Sequence, residues 1–210
     1  MCLCCSFRKL SEDDMINLCQ AVGKNNVLEE LVLSGHEMSQ AALEAFNDML
    51  QGNKTLRKIG FGDARLGTDG LSRLMSGLTA ANALELVDLE LKGLSAGAQS
   101  GDVLGQIVMG CAKLQFVNVT RNSLDDTALE RLSGHLCDWD GDVGSRPPVT
   151  ILLRENSLTS SAAEPLGRIL RSRFPLQRLD LSLNKIGCDG GVKLFTHPFG
   201  PSLNCLNLAG

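Results

Sequence analysis

The chain has 210 residues, a hydrophobic fraction of 43% with only 4% aromatics and no tyrosine, and a formal net charge of -4. That composition belongs to a folded protein with an aliphatic core. The acidic balance excludes a general binder of nucleic-acid backbone, which carries clustered excess Lys and Arg. No stretch is long and apolar enough to span a bilayer, and Arg8 comes too early for a signal-peptide core. A cytoplasmic location is therefore expected.

The chain opens with Cys2, Leu3, Cys4 and Cys5, which invite acylation, a metal site or no chemistry at all. Residue 2 is not the glycine that myristoylation requires, and a zinc site needs further ligands, so a strand with Leu3 and Cys5 inward is expected. The pattern L-x-x-L-x-L begins at Leu28 (Leu31, Leu33), repeats at Leu56 (Ile59, Phe61), and is read again at Leu84 (Val87, Leu89), 28 residues apart each time. It resumes at Leu114 (Val117, Val119), at Pro148 (Ile151, Leu153), at Leu176 (Leu179, Leu181) and at Leu203 (Leu206, Leu208). A fixed period of this length marks a solenoid.

One unit reads from Leu114 to Leu136. Val117 and Val119 alternate as a short half-buried strand. Asn122 turns the chain, Leu124 returns to the core, and Asp125 or Asp126 caps a helix. Leu129, Leu132 and Leu136 form its apolar stripe. The same stripe recurs as Leu43, Phe46 and Leu50, as Leu71, Leu74 and Leu78, and as Leu166 and Leu170 after a capping box at Ser161 and Glu164. The turn asparagine is present at Asn122, Asn156 and Asn184. His36, Ala64 and Lys92 stand in its place earlier, so a less regular N-terminal half is expected. Extra residues fall within Ser95 to Asp102 and within Cys137 to Pro148, where loops should take them.

This pattern resembles the leucine-rich repeats of the ribonuclease-inhibitor-like subfamily. The resemblance covers nearly all of the chain and implies the fold class α/β: a right-handed solenoid, or horseshoe, with parallel strands on the concave face and helices on the convex face. It is weaker for function, because the subfamily includes nuclease inhibitors, the sensing halves of NOD-like receptors, GTPase activators of the RanGAP type and actin-linked CARMIL proteins. Residues 1–210 are read as a single domain of about six full repeats with partial repeats at both ends. No polar cap closes either end, so the chain is expected to be part of a longer protein or of a truncated gene product, or else to self-associate through those ends.

Residues alternating with the buried leucines face the concave side. Val32, Leu86, Phe116 and Leu152 are expected to form an apolar track there, with Arg154, Arg178 and Asp180 beside it. Such a track suits a protein partner, although single exposed apolar residues are also common on ordinary surfaces. Trp139 sits in the inserted loop Asp138-Trp139-Asp140-Gly141-Asp142, whose carboxylates resemble the start of a calcium loop without its bidentate Glu. A solvated acidic loop is the expectation, its tryptophan packing on a helix or meeting a partner. His36, His135 and His197 are isolated from any triad or metal-ligand arrangement.

Cys19, Cys111, Cys137, Cys188 and Cys205 are scattered singly, as reduced thiols would be. The sequons Asn53-Lys-Thr55 and Asn118-Val-Thr120 carry little weight in an intracellular chain. The leading expectation is a non-enzymatic scaffold with a protein partner, no cofactor, no metal and no nucleic acid. The alternatives are a RanGAP-type activator using Arg121 or Arg154 at a strand end, and a CARMIL-like actin-regulatory scaffold suggested by Leu28-Glu-Glu-Leu31-Val-Leu33 and Leu206-Asn-Leu208-Ala-Gly.

Overall fold

A computed structural model describes the chain apart from residues 5–8, 63–65, 81–84, 143 and 197. Eight strands, β1 (Cys2–Cys4), β2 (Glu30–Ser34), β3 (Lys58–Gly62), β4 (Asp88–Lys92), β5 (Phe116–Asn118), β6 (Val149–Leu152), β7 (Leu176–Asp180) and β8 (Cys205–Asn207), lie in one open sheet in sequence order. All pair in parallel. Parallel neighbours need a crossover, and each here is a helix: α1 (Glu12–Lys24), α2 (Gln40–Gly52), α3 (Gly67–Ala80), α4 (Ser100–Gly110), α5 (Asp126–Cys137), α6 (Ala163–Arg171) and α7 (Gly187–Leu194). The result is the expected leucine-rich-repeat α/β solenoid.

The core lies between sheet and helices as ladders of equivalent residues. Leu31, Ile59, Leu89, Val117, Ile151 and Leu179 form one rung across six strands, all buried. The helices answer with Leu43, Leu71, Leu129 and Leu166. Close approach of α4 and α5 needs small residues. A Cβ on Gly101 would lie 2.0 Å from the Ala128 carbonyl oxygen, and one on Gly105 would lie 2.3 Å from the His135 ring.

One repeat differs from its expected frame. Ile59 pairs with Leu89 and Phe61 with Leu91, so the third unit reads Leu86, Leu89, Leu91 instead of Leu84, Val87, Leu89. Leucines at 84, 86, 89 and 91 satisfy the pattern in both frames, and a two-residue slip keeps the same face inward. Burial decides between them, because the observed frame encloses Leu86, Leu89, Leu91 and Leu94. Leu84 itself lies outside the described residues. The extra length therefore falls between Leu56 and Leu86, not within Ser95 to Asp102, while the expected insertion between Cys137 and Pro148 is present as a loop between α5 and β6.

The turn asparagines reach back to the preceding repeat. Asn122 Nδ2 donates to the Leu91 carbonyl at 2.5 Å and its oxygen accepts from the Leu94 amide at 2.8 Å. Asn156 donates to Val119 and accepts from Asn122 and Leu124, and Asn184 links likewise to Leu153 and Leu158. Leu94, rather than Lys92, holds this position in the third unit and is buried there. His36 is not a gap in the ladder, because it is 2% exposed and its Nδ1 accepts from the Leu10 amide at 3.3 Å. Ala64 lies outside the described residues.

The residue preceding this position is left-handed in each described turn: Gly35, Gly93, Arg121, Glu155 and Leu183 have φ of 79°, 65°, 61°, 53° and 57°. Three of these are side chains in a conformation that costs energy outside glycine.

The helices start as their sequences dictate, with two differences. Ser39 and Asp125 accept from the N3 amides of α2 and α5. The full capping box is on α1, between Ser11 and Asp14. The box expected at Ser161 and Glu164 is absent, because Thr159 instead caps a short 3₁₀ turn, Ser160–Ala162, that leads into α6. Asp126 turns away from capping and accepts from the Thr159 amide at 2.8 Å, tying two repeats together.

Candidate protein-binding face

The strand register sets the concave face. Glu30, Lys58, Asp88, Phe116, Thr150 and Arg178 fall in one column, and Val32, Gly60, Glu90, Asn118, Leu152 and Asp180 in the next. Leu86, expected on this face, is fully buried in the core instead, as the shifted frame of the third unit requires. The positions that β4 presents are Asp88, Glu90 and Lys92.

This correction divides the face in two. Val32 stands over Gly60, where a Cβ would lie 3.2 Å from either of its methyl groups. Next to it Lys58 Nζ bonds Asp88 Oδ2 at 2.7 Å and Glu90 Oε1 at 2.5 Å, and Lys92 also reaches Glu90. Burial pushes the Asp88 carboxyl above its ordinary value despite Lys58, and one of its oxygens is buried without a partner. Burial acts the same way on Glu90, but the bonds from Lys58 and Lys92 outweigh it and hold this carboxyl below its ordinary value. The network separates Val32 from the apolar residues farther along.

Those residues are Phe116 and Leu152. Phe116 pairs with Thr150, and Leu152 with Asn118, so the two sit diagonally on adjacent strands. Diagonal neighbours lie about 7–8 Å apart, within reach of one another's side chains. Both are half-buried. Arg154 and Arg178 are exposed beside them. Asp180 accepts from the Ser182 amide at 2.9 Å and from Asn207 Nδ2 at 3.1 Å. Burial would raise its pKa, but these bonds and the nearby Arg178 charge hold it below its ordinary value. Asp180 is therefore a fixed anion between two strands.

Arg121 and Arg154 lie at strand ends with Glu155 between them. Arg154 Nε bonds Glu155 Oε1 at 3.0 Å, and Arg121 Nε lies 4.0 Å from Oε2.

Trp139 is part-buried in the inserted loop, its ring meeting Phe174 edge-on with centroids 6.2 Å apart. It also covers Gly141, where a Cβ would lie 2.5 Å from the indole. The residue that fastens this loop was not singled out from sequence. Arg146, only 7% exposed, stacks 5.3 Å from the Phe174 centroid and donates to the carbonyls of Val108 and Cys111 at the end of α4.

Asn53 was missed as well, except as a sequon. It is 2% exposed, donates to Val22 and Asn25, and accepts from Thr55 and Leu56. A glycan cannot be attached to that nitrogen in this fold. Asn118 is similarly buried.

Among the described residues, no group of three or more His, Cys, Asp or Glu could hold a metal ion, and no helix is long and apolar enough to cross a membrane. Cys2 and Cys4 are exposed on β1, and Leu3 is part-buried opposite Leu31. Cys5 and His197 lie outside the described residues.

The family model described as Leucine Rich repeat matches residues 174–195. NACHT, LRR and PYD domains-containing protein 4C of Mus musculus is 27% identical over 186 residues, covering 88% of this chain and 18% of the relative. NACHT, LRR and PYD domains-containing protein 12 of Homo sapiens is 31% identical over 185 residues, covering 84% and 16%. Ribonuclease inhibitor of Sus scrofa is 30% identical over 164 residues, covering 78% and 34%. The chain thus spans between 16% and 34% of the length of these relatives.

Proposed function

We propose that this chain, a leucine-rich-repeat protein of the ribonuclease-inhibitor-like kind, serves as a non-enzymatic scaffold that holds a protein partner on its concave face, centred on Phe116 and Leu152. The observation that carries this reading is their juxtaposition on β5 and β6: two half-exposed apolar side chains on a rigid sheet, flanked by Arg154, Arg178 and the anchored Asp180. Apolar anchors inside a charged rim are the usual anatomy of a protein interface. A relative named for inhibiting ribonuclease fits a chain that acts by binding a protein.

Val32 lies across the Lys58 network from this centre and belongs to the periphery of the contact. Trp139, committed to Phe174, bounds the loop and is a minor contact at most.

The test is affinity capture from lysate with the wild-type chain and with the Phe116→Glu, Leu152→Glu double variant. A protein retained by the wild type and lost by the variant supports the reading. Equal retention by both contradicts it.

A further inference from the structure

Taking the concave face as the binding surface, we infer that Arg121 and Arg154, braced around Glu155 at the ends of β5 and β6, receive a carboxylate. The partner segment seated on Phe116 and Leu152 then carries an aspartate or glutamate just beyond its apolar anchor.

The placement follows from the sheet. Arg154 comes two residues after Leu152 and alternates with the buried Leu153, so it stands on the same face roughly 7 Å farther along. The ladder continues beyond β6, where the Leu153 and Glu155 amides donate to the Asp180 and Ser182 carbonyls and the Arg121 amide donates to the Arg154 carbonyl at 3.1 Å. Repeats stand on both sides of the pair, with Lys92 and Gly93 toward β4 and Ser182 toward β7. Its exposure therefore belongs to the interior of the solenoid.

The turn itself asks for no side chain at these positions. Gly35 and Gly93 hold the equivalent places in other repeats, with φ of 79° and 65°, a region that glycine enters freely. Arg121 and Glu155 adopt φ of 61° and 53° there, at a conformational cost that glycine would not incur. A side chain kept where glycine serves the turn points to a role on the surface.

Charge says what that role is. From β3 to β7 the remaining charges of the face are matched, Lys58 and Lys92 by Asp88 and Glu90, and Arg178 by the nearby Asp180. At the strand ends two guanidiniums share one carboxylate. Arg154 Nε bonds Glu155 Oε1 at 3.0 Å and Arg121 Nε lies 4.0 Å from Oε2, while their side chains stay 50% and 62% exposed. One positive charge is left over, carried on planar forks whose geometry fits the two oxygens of a carboxylate. Glu155 restrains both forks, so less freedom is lost when a ligand arrives. A single surplus charge suits one carboxylate, and the net charge of -4 disfavours an extended polyanion.

Panning a phage-displayed library of random dodecapeptides on the immobilised full chain tests this. Peptides that need the apolar centre, identified by their loss on Phe116→Glu with Leu152→Glu, should carry Asp or Glu within about three residues of an apolar side chain. A synthetic copy of the most enriched peptide should bind Arg121→Gln with Arg154→Gln about tenfold more weakly than the wild type. Its analogue with the acid replaced by the corresponding amide should bind the two chains alike. Panning on Arg121→Glu with Arg154→Glu should select Lys or Arg at the same place. Both arginines are exposed, so these variants should keep the CD spectrum of the wild type. Peptides that need Phe116 and Leu152 but show no acidic preference, or that bind the Arg121→Gln, Arg154→Gln chain undiminished, would overturn the carboxylate receptor and leave the concave face standing. Acidic peptides indifferent to Phe116→Glu with Leu152→Glu, or enrichment no greater than on a blank surface, would overturn both.

Discussion

The backbone amide of Leu10 donates to Nδ1 of His36 at 3.3 Å, place for place the bond that Leu124 makes to the side-chain oxygen of Asn156 at 3.0 Å. An imidazole thus performs at one end of the solenoid what an amide performs at the other. Substitution by alanine would leave the part-buried Leu10 amide without this acceptor, so His36→Ala should lose about 1 kcal/mol. His36→Asn should retain most of the stability. Urea denaturation of the three proteins checks this, and equal losses in both variants would mean that the imidazole matters only for its volume.

Asn156 serves two amides and the Val119 carbonyl across a repeat boundary, and the Leu153 carbonyl within its own repeat. Its truncation strands more buried groups than the truncation of any single cap. Asn156→Ala should therefore cost about 3 kcal/mol or more, against about 1 kcal/mol for Asp125→Ala at the start of α5. The same denaturation series ranks them.

Asp88 and Glu90 share Lys58 but respond to pH in opposite senses. The folded-state pKa of Asp88 is raised, so its contribution is most favourable below the ordinary carboxylate pKa and is lost as pH rises through the folded value. That of Glu90 is lowered, so its contribution is present above the ordinary value and lost as pH falls through the folded one. At neutral pH, Asp88→Asn should therefore be neutral or stabilising by less than about 1 kcal/mol, while Glu90→Gln should destabilise by a similar amount. Acidification into the carboxylate range should shrink both differences, as thermal unfolding at several pH values will show.

Arg146 ties the inserted loop to the last carbonyls of α4 and roofs Phe174, against which Trp139 rests. Arg146→Ala should cost about 2 kcal/mol through lost hydrogen bonds and lost packing together. Trp139 is the chain's sole tryptophan. Its fluorescence should shift to the red in the folded variant as the loop loosens, and an unshifted spectrum would show that the loop is held by other contacts.

The solenoid was legible because its signal is redundant: seven nearly identical units vote for one fold. What escaped was whatever a single unit decides alone. The frame of β4 was ambiguous because leucines at 84, 86, 89 and 91 satisfy two alignments, and only burial of Leu86 and Leu94 breaks the tie. That one slip moved Leu86 from the concave face to the core and added Lys92 to the face beside Asp88 and Glu90. His36 was passed over because its role depends on a nitrogen acceptor at one distance from Leu10, which a consensus of residue names does not encode. Asn53 and Arg146 act through contacts 31 and 38 positions away. No local pattern announces such contacts, though a buried-looking Asn at the end of a helix stripe was a signal that could have been followed. The strand-face placement of Phe116 and Leu152 followed from alternation alone, since their two units are in frame.

The most direct measurement of the central claim is to capture partners side by side on three immobilised chains: the wild type, the concave-face variant Phe116→Glu with Leu152→Glu, and a convex-face control, Asp48→Lys. A protein retained equally by the wild type and the control but released by the concave variant is the expected result. Retention by the concave variant, or loss on the convex control alone, would place the contact elsewhere and contradict a binding face centred on Phe116 and Leu152.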